Sequence, residues 1–502
     1  MNSRNGQAAA GTDGRGGRPG RRAVLKGAGA LAAALSTLEL AGRAQAAPVR
    51  LPLTSTTVVL PDTQFDLNNF IAPAQTVDGV SIRLGPVFTT FVTAQFTRTP
   101  TINDQTVLRE ALHAIEGSYP FSASGIFTFL SYGLPYFSRL PASLVADHMP
   151  RLLSDNNRWA LEEAVPGPTD VSSSNPGVAK QTFNVPVQIE ANDLLLTLRS
   201  DNSATISDVL RWLTGSNQLA GAAVPSPAFN GLWNVTSSRV MFQRAGLPRS
   251  MADSAALPYA RYIDPRSPMW MGFSDQQVHG SGPALIATFL GNSSAHVTTA
   301  KLGDYFDRAS VQHLAHDILD LAQFFDLDAA GNAGPDGTYL ERVQYMFRST
   351  PPPSQGNPDQ YTDGGGPSTL DNTFQGTGDA AASAQGIGTP DGEHRMGHLS
   401  TLQRSSRAAD GTPMHIRMDG PGFDTMDVPD HSSQPKLQFT IFVPSADFFV
   451  TMRRNQASLD LAAAHGVPAS DNGLERFITA TRRQNFLIPP RRHRSYPLVE
   501  FV

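Results

Sequence analysis

Three residues of the chain combine the chemistry to move a proton, steady a negative charge and hold a metal: Asp275, Arg417 and His398. Asp275 closes a Gly272-Phe273-Ser274-Asp275 turn after the apolar Met269-Trp270-Met271. A carboxylate at such a bend can point into a cavity. Within hydrogen-bond reach it can pass a proton between two atoms. Arg417 stays protonated, so it cannot act as a base, but it can stabilise a developing anion. His415 competes with His398 as a ligand, and in an extended chain it faces the same way as Arg417. Taken singly each residue has a plain reading: a solvated turn Asp, a hydrogen-bonded His, and an Arg paired with Asp419 or Asp424. The functional question is whether Asp275, His398 and Arg417 meet across one pocket.

Other candidates read as structural. His313 and His316 lie three apart without carboxylates at a matching spacing, so they read as a solvent-facing pair at a strand edge. The Arg491-Arg492-His493-Arg494 cluster reads as a solvated C-terminal end. Gly364-Gly365-Gly366 and Gln375-Gly376-Thr377-Gly378 do not join a strand to a helix N-terminus, which argues against phosphate binding there.

Composition narrows the chemistry. The chain has 502 residues, a formal net charge of −5 and no cysteine. The charge argues against a nucleic-acid partner. The missing thiols exclude thiolate-ligated haem, iron–sulfur clusters and Cys-zinc sites, leaving histidines and carboxylates as ligands. Arg21-Arg22 precede a mild apolar run from Gly27 to Leu40, and Ala44-Gln45-Ala46 offers a small-x-small cleavage site. Residues 1–46 therefore read as a Tat export signal. The run is too short for a good membrane span, so no stable membrane anchor is expected. The mature protein is expected in the periplasm, the cell wall or the medium.

The elements that must position these residues come in two sets. Val87 to Phe96, Gly125 to Gly133, Asp193 to Arg199 and Leu232 to Phe242 read as strands. Helices are expected over Asp104 to Glu116 and Thr205 to Leu213, by their apolar spacing. This strand–helix–strand order, twice, is the ferredoxin-like pattern. In the second half Gln312 to Leu321 reads as a strand or a sheet edge, Tyr339 to Phe347 as a helix, and Leu437 to Val443 as the strongest strand of the chain. Helices are expected over Ala446 to Ala464 and Leu474 to Thr481. The expected organisation is a signal over 1–46, one half over 47–265 and a second over 266–502. A Pro/Gly/Ser-rich loop from Ser349 to Gly392 interrupts the second half.

With these pieces in order, the chain resembles the dye-decolorizing peroxidases, a haem family built from two ferredoxin-like halves. Met271-Gly272-Phe273-Ser274-Asp275 is similar to the distal Gly-x-x-Asp-Gly motif, with Gln276 in place of the final Gly. Gly397-His398 lies where the proximal histidine is expected, followed by Leu399-Ser400-Thr401-Leu402 rather than a basic, Asn-Pro-containing run. Arg417 stands where the distal arginine is expected. Asp471-Asn472-Gly473-Leu474-Glu475-Arg476-Phe477 with Ile488-Pro489-Pro490 resembles the C-terminal signature. The gap from Asp275 to His398 is longer than usual, as in a divergent member.

The resemblance implies an α+β fold, a dimeric α+β barrel of two ferredoxin-like halves. It implies an exported peroxidase that uses haem b, hydrogen peroxide and a small organic electron donor. His398 would be the iron ligand, with Asp471 as its carboxylate partner. Asp275 would shuttle the peroxide proton, and Arg417 would stabilise the leaving oxygen. Exposed Tyr or Trp residues, such as Trp270, would relay electrons from bulky donors. The rivals are a haem-free extracytoplasmic binding or structural protein, and another haem task on the same fold. Oligomers remain possible.

Overall fold

The computed structural model describes residues 59–73, 75–77, 80–82, 85–263, 265, 267–271, 287–291, 296–325, 415–457, 459 and 475–502. The expected export signal, Asp275, His398, Asp471, the Tyr339 to Phe347 helix and the 349–392 loop lie outside them.

The first half is built from β1 (Phe88–Phe96), α1 (Ile102–Ser118), β2 (Phe127–Tyr132), β3 (Leu194–Ser200), α2 (Ser203–Leu213) and β4 (Trp233–Phe242). Thr101 caps α1 in a capping box with Asp104, whose carboxylate reaches back to the Thr101 N–H at 2.7 Å. Leu108, Ala111, Leu112 and Ile115 then recur at helical spacing on the buried side. The cap of α2 is Asn202, whose side chain accepts from the Ala204 N–H.

The second half is built from β5 (Ser310–Leu319), β6 (Ile416–Arg417), β7 (Gly420–Asp424), β8 (Gln434–Val443), α3 (Ala446–Ala457) and β9 (Ile478–Ile488). The strands run in the order β6-β8-β5-β9-β2-β3-β1-β4, with β7 also on β8. Within each half the first strand and the last but one are central and antiparallel, which is the ferredoxin-like order. The fold is α+β with one large antiparallel sheet, as expected.

The sheet bends round on itself. At one junction β9 pairs with β2 through Leu487 and Tyr132. At the other, β7 lies against β4 so closely that a Cβ on Gly422 would sit 2.9 Å from the Val240 carbonyl oxygen. Glycine there lets the backbones meet. The inside holds Phe91, Phe127, Phe129, Leu195, Met241, Leu314, Phe442 and Phe486. The outer faces carry a separate apolar core beneath the helices.

Two expectations fail here. Leu474 to Thr481 is not a helix: Glu475–Phe477 is a single 3-10 turn and Ile478 begins an 11-residue strand. The β-branched Ile478, Thr479 and Thr481 suit a strand, and pairing with β5 along its whole length overrides local helix propensity. Likewise β5 is no edge. It lies between β8 and β9, and all ten of its residues are buried, His313 and His316 included.

Candidate active site on the second sheet

Alternation along the strands sorts the second half into two polar regions. Even-numbered residues of β5 point into the barrel and odd-numbered ones point outward beneath α3. Ile416 and Met418 join the inner cluster, so Arg417, between them, takes the outer face.

Register then places Arg417 in a lateral row. Arg417 pairs with Ile441 on β8, Ile441 with His313 on β5, and His313 with Asn485 on β9. Arg417 is half-buried. His415 is buried two residues earlier, with its ring 6.4 Å from that of Phe448 on α3. Phe449 lies flat against His313, with ring centroids 3.4 Å apart.

His313 has a fixed proton arrangement. The Asn485 amide nitrogen donates to the Glu162 carbonyl, so its oxygen accepts from His313 Nδ1 at 2.7 Å. Nε2 therefore carries the lone pair, and it has no hydrogen-bond partner among the described residues. Burial, reinforced by the Arg483 charge, pushes this imidazole well below its ordinary range, so it is neutral.

Beside this row lies a buried ion network. Arg483 clasps Asp170 with two hydrogen bonds, at 2.6 and 2.9 Å. Arg453 of α3 reaches both Asp170, at 3.4 Å, and Glu475, at 3.1 Å. Thr169 Oγ1 and Arg453 both donate to Glu475, and the Lys180 ammonium donates to its backbone carbonyl. Burial alone would raise both carboxyls, yet the neighbouring cations outweigh it and hold them below the usual carboxylate range. Asp317 differs. Burial pushes its carboxyl up to about 6, and Oδ1 has no hydrogen-bond partner among the described residues.

The inner polar region is separate. His316 Nδ1 meets Thr481 Oγ1 at 2.8 Å, and Nε2 lies 3.4 Å from Asp424. Lys436 pairs with Asp424 at 3.5 Å, Arg482 with Asp427 at 2.7 Å, and Arg239 with Glu190. These groups pair with one another, as buried charges must, although Arg239 Nη1 has no hydrogen-bond partner among the described residues.

Of the expected site residues only Arg417 can be placed. Its convergence with Asp275 and His398 falls outside the described residues. The relay role of Trp270 is corrected: its side chain is buried, its indole N–H donates to the Gly422 carbonyl at 3.1 Å, and Phe242 and Phe423 flank the ring. The solvated-edge reading of His313 and His316 is replaced by two buried imidazoles on opposite faces of one strand. Asp317 and the Asp170–Arg483–Arg453–Glu475 network were missed. Their partners lie up to 313 residues apart, beyond any local pattern. Among the described residues no three His, Cys, Asp or Glu side chains gather to hold a metal ion, and no helix is long and apolar enough to cross a membrane.

Among solved structures the chain is similar to the encapsulated DyP-type peroxidase of Mycobacterium smegmatis, at 14% identity over 86% of this chain and 97% of that one, with a TM-score of 0.41. It is also similar to a DyP-type peroxidase of Streptomyces coelicolor, at 12% identity over 84% and 92% with a TM-score of 0.42. The dye-decolorizing protein of V. cholerae matches at 12% identity over 84% and 95%, with a TM-score of 0.39. No curated protein matches the chain. A family's sequence model does match, over residues 160–490, and on that match the chain belongs to the family of unknown function DUF7405.

Proposed function

We propose that this protein is an exported haem-dependent peroxidase that reduces hydrogen peroxide at the expense of a small organic donor. The observation that carries the reading is the place of Arg417. It stands on the outer face of the second half of the sheet, in one row with a neutral, buried imidazole against which Phe449 of α3 stacks.

The residues described on this face suit haem. A porphyrin needs an apolar wall, and Ile441, Phe439 and Phe448 supply one. It needs a single neutral imidazole as protein ligand rather than a cluster. His398 is the proposed donor, with Asp471 accepting from its other ring nitrogen. Haem, when bound, supplies the iron at which peroxide is reduced. Asp275 takes the proton from one peroxide oxygen and returns it to the other. Arg417, permanently charged, stabilises the negative charge on the departing oxygen.

Arg417→Leu tests the assignment. Haem content should be unchanged, while the peroxide-dependent oxidation rate falls by about 100-fold or more, the scale of losing one charge-stabilising group. An unaltered rate in a haem-replete variant would remove Arg417 from the reaction. Export is tested by replacing Arg21 and Arg22 with Lys. Retention in the cytoplasm is expected, and normal export would point to the Sec route.

A further inference from the structure

The Arg491–Arg494 segment is not a solvated end. It folds back on α1 and, with Gln105, Arg109, His113 and Glu116 of that helix, encloses a cavity of about 460 Å³. Those four α1 residues recur at helical spacing, so they form one stripe along the wall.

Two arginines in this wall share one carboxylate. Arg491 Nη1 and Arg494 Nη2 both donate to the same Glu116 oxygen, at 2.8 and 2.7 Å. Arg491 Nη2 and Arg494 Nη1 are left with no hydrogen-bond partner among the described residues. Arg494 is only 5% exposed. Arg109 adds a third cation at the exposed rim and pairs with no carboxylate among the described residues; its described contact is with Thr106 at 3.3 Å. The other acidic group of the wall, Glu500, is engaged by neutral donors, Gln105 and Tyr305, each at 2.7 Å. Arg492 is already held by Asp62 and Asp307. Two adjacent guanidiniums on one carboxylate oxygen leave each with a donor that has no partner among the described residues, a demand that the oxygens of an anion would meet. Burial first, and then the neighbouring Arg494 charge, push Arg491 down to about 10.

We propose that this cavity binds a small phosphorylated molecule, its phosphate held by Arg491, Arg494 and Arg109. Planar guanidinium forks match phosphate oxygens in pairs. The volume is that of a small-molecule pocket and leaves room for an organic body beside the phosphate. The site is independent of the Arg417 face, so it stands or falls apart from the peroxidase reading.

The test is calorimetric titration of the purified protein with inorganic phosphate and with glycerol phosphate, at ionic strength matched by chloride. Saturable binding is expected, tighter for the ester if the organic body is held and equal if the phosphate alone is. Arg109→Ala, at an exposed position, should weaken it about tenfold. Glu116→Gln, which removes the competing carboxylate, should tighten it. No saturable binding of either ligand, or affinities unchanged in both variants, would overturn the proposal.

Discussion

The two halves share one strand order and differ in what lies beneath their helices. Under α1 and α2 the first sheet presents Phe88, Val92, Leu130, Leu196, Leu198 and Phe242, an apolar surface. Under α3 the second sheet presents Arg417, His313, Asp317, Arg483 and Asn485 among its apolar residues. The same topology can be stabilised by hydrophobic burial alone, as the first half shows. Burying ions under α3 is costly unless each is paired, and it stabilises no better than packed hydrocarbon. The charged groups beneath α3, with Asp170 contributed by the first half, therefore set this region apart from the apolar surface beneath α1 and α2.

The comparison is sharpest where a charge is left alone. Asp170→Ala strips Arg483 of its clasp and should destabilise the fold by about 3–5 kcal/mol in urea denaturation. A comparable loss beneath α1 and α2 needs a core truncation such as Leu198→Ala, at about 2–5 kcal/mol. If Asp170→Ala is neutral, the network is solvated and the contrast between halves collapses.

A smaller effect is expected at Asp317, and only as a function of pH. Its folded value, about 6, is raised above the ordinary 3.8. The stability it contributes is complete below the ordinary value and is lost as pH rises through about 6. The wild type should thus lose about 3 kcal/mol relative to Asp317→Asn between pH 4 and 7. Parallel stability curves for the two proteins would show that Asp317 is not held neutral. The smallest effect on stability is expected from Arg417→Leu, within about 1 kcal/mol because the side chain is half-buried. A large loss of stability there would make Arg417 a structural group.

The first half was legible because its strands and helices bury simple faces. Leu108, Leu112 and Ile115 announce α1, and Leu194 to Leu198 announce a strand covered on both sides. The second half hid its architecture in polar residues. Thr481-Arg482-Arg483-Gln484-Asn485 has no apolar alternation, yet each side chain finds a partner elsewhere in the chain. His313 and His316 looked solvated for the same reason. Their partners, Asn485 and Thr481, lie 172 and 165 residues away. Arg417 could be named from the order of motifs, but its row-mates His313 and Asn485 emerge only from strand register.

The account turns on haem under the second half. The most direct measurement is the absorbance spectrum of the mature protein purified after expression with haem supplied, alongside His398→Ala and His415→Ala. The account predicts a Soret band of a histidine-ligated haem in the wild type, kept in His415→Ala and abolished in His398→Ala. A wild type without that band, or a band lost in His415→Ala alone, would contradict it.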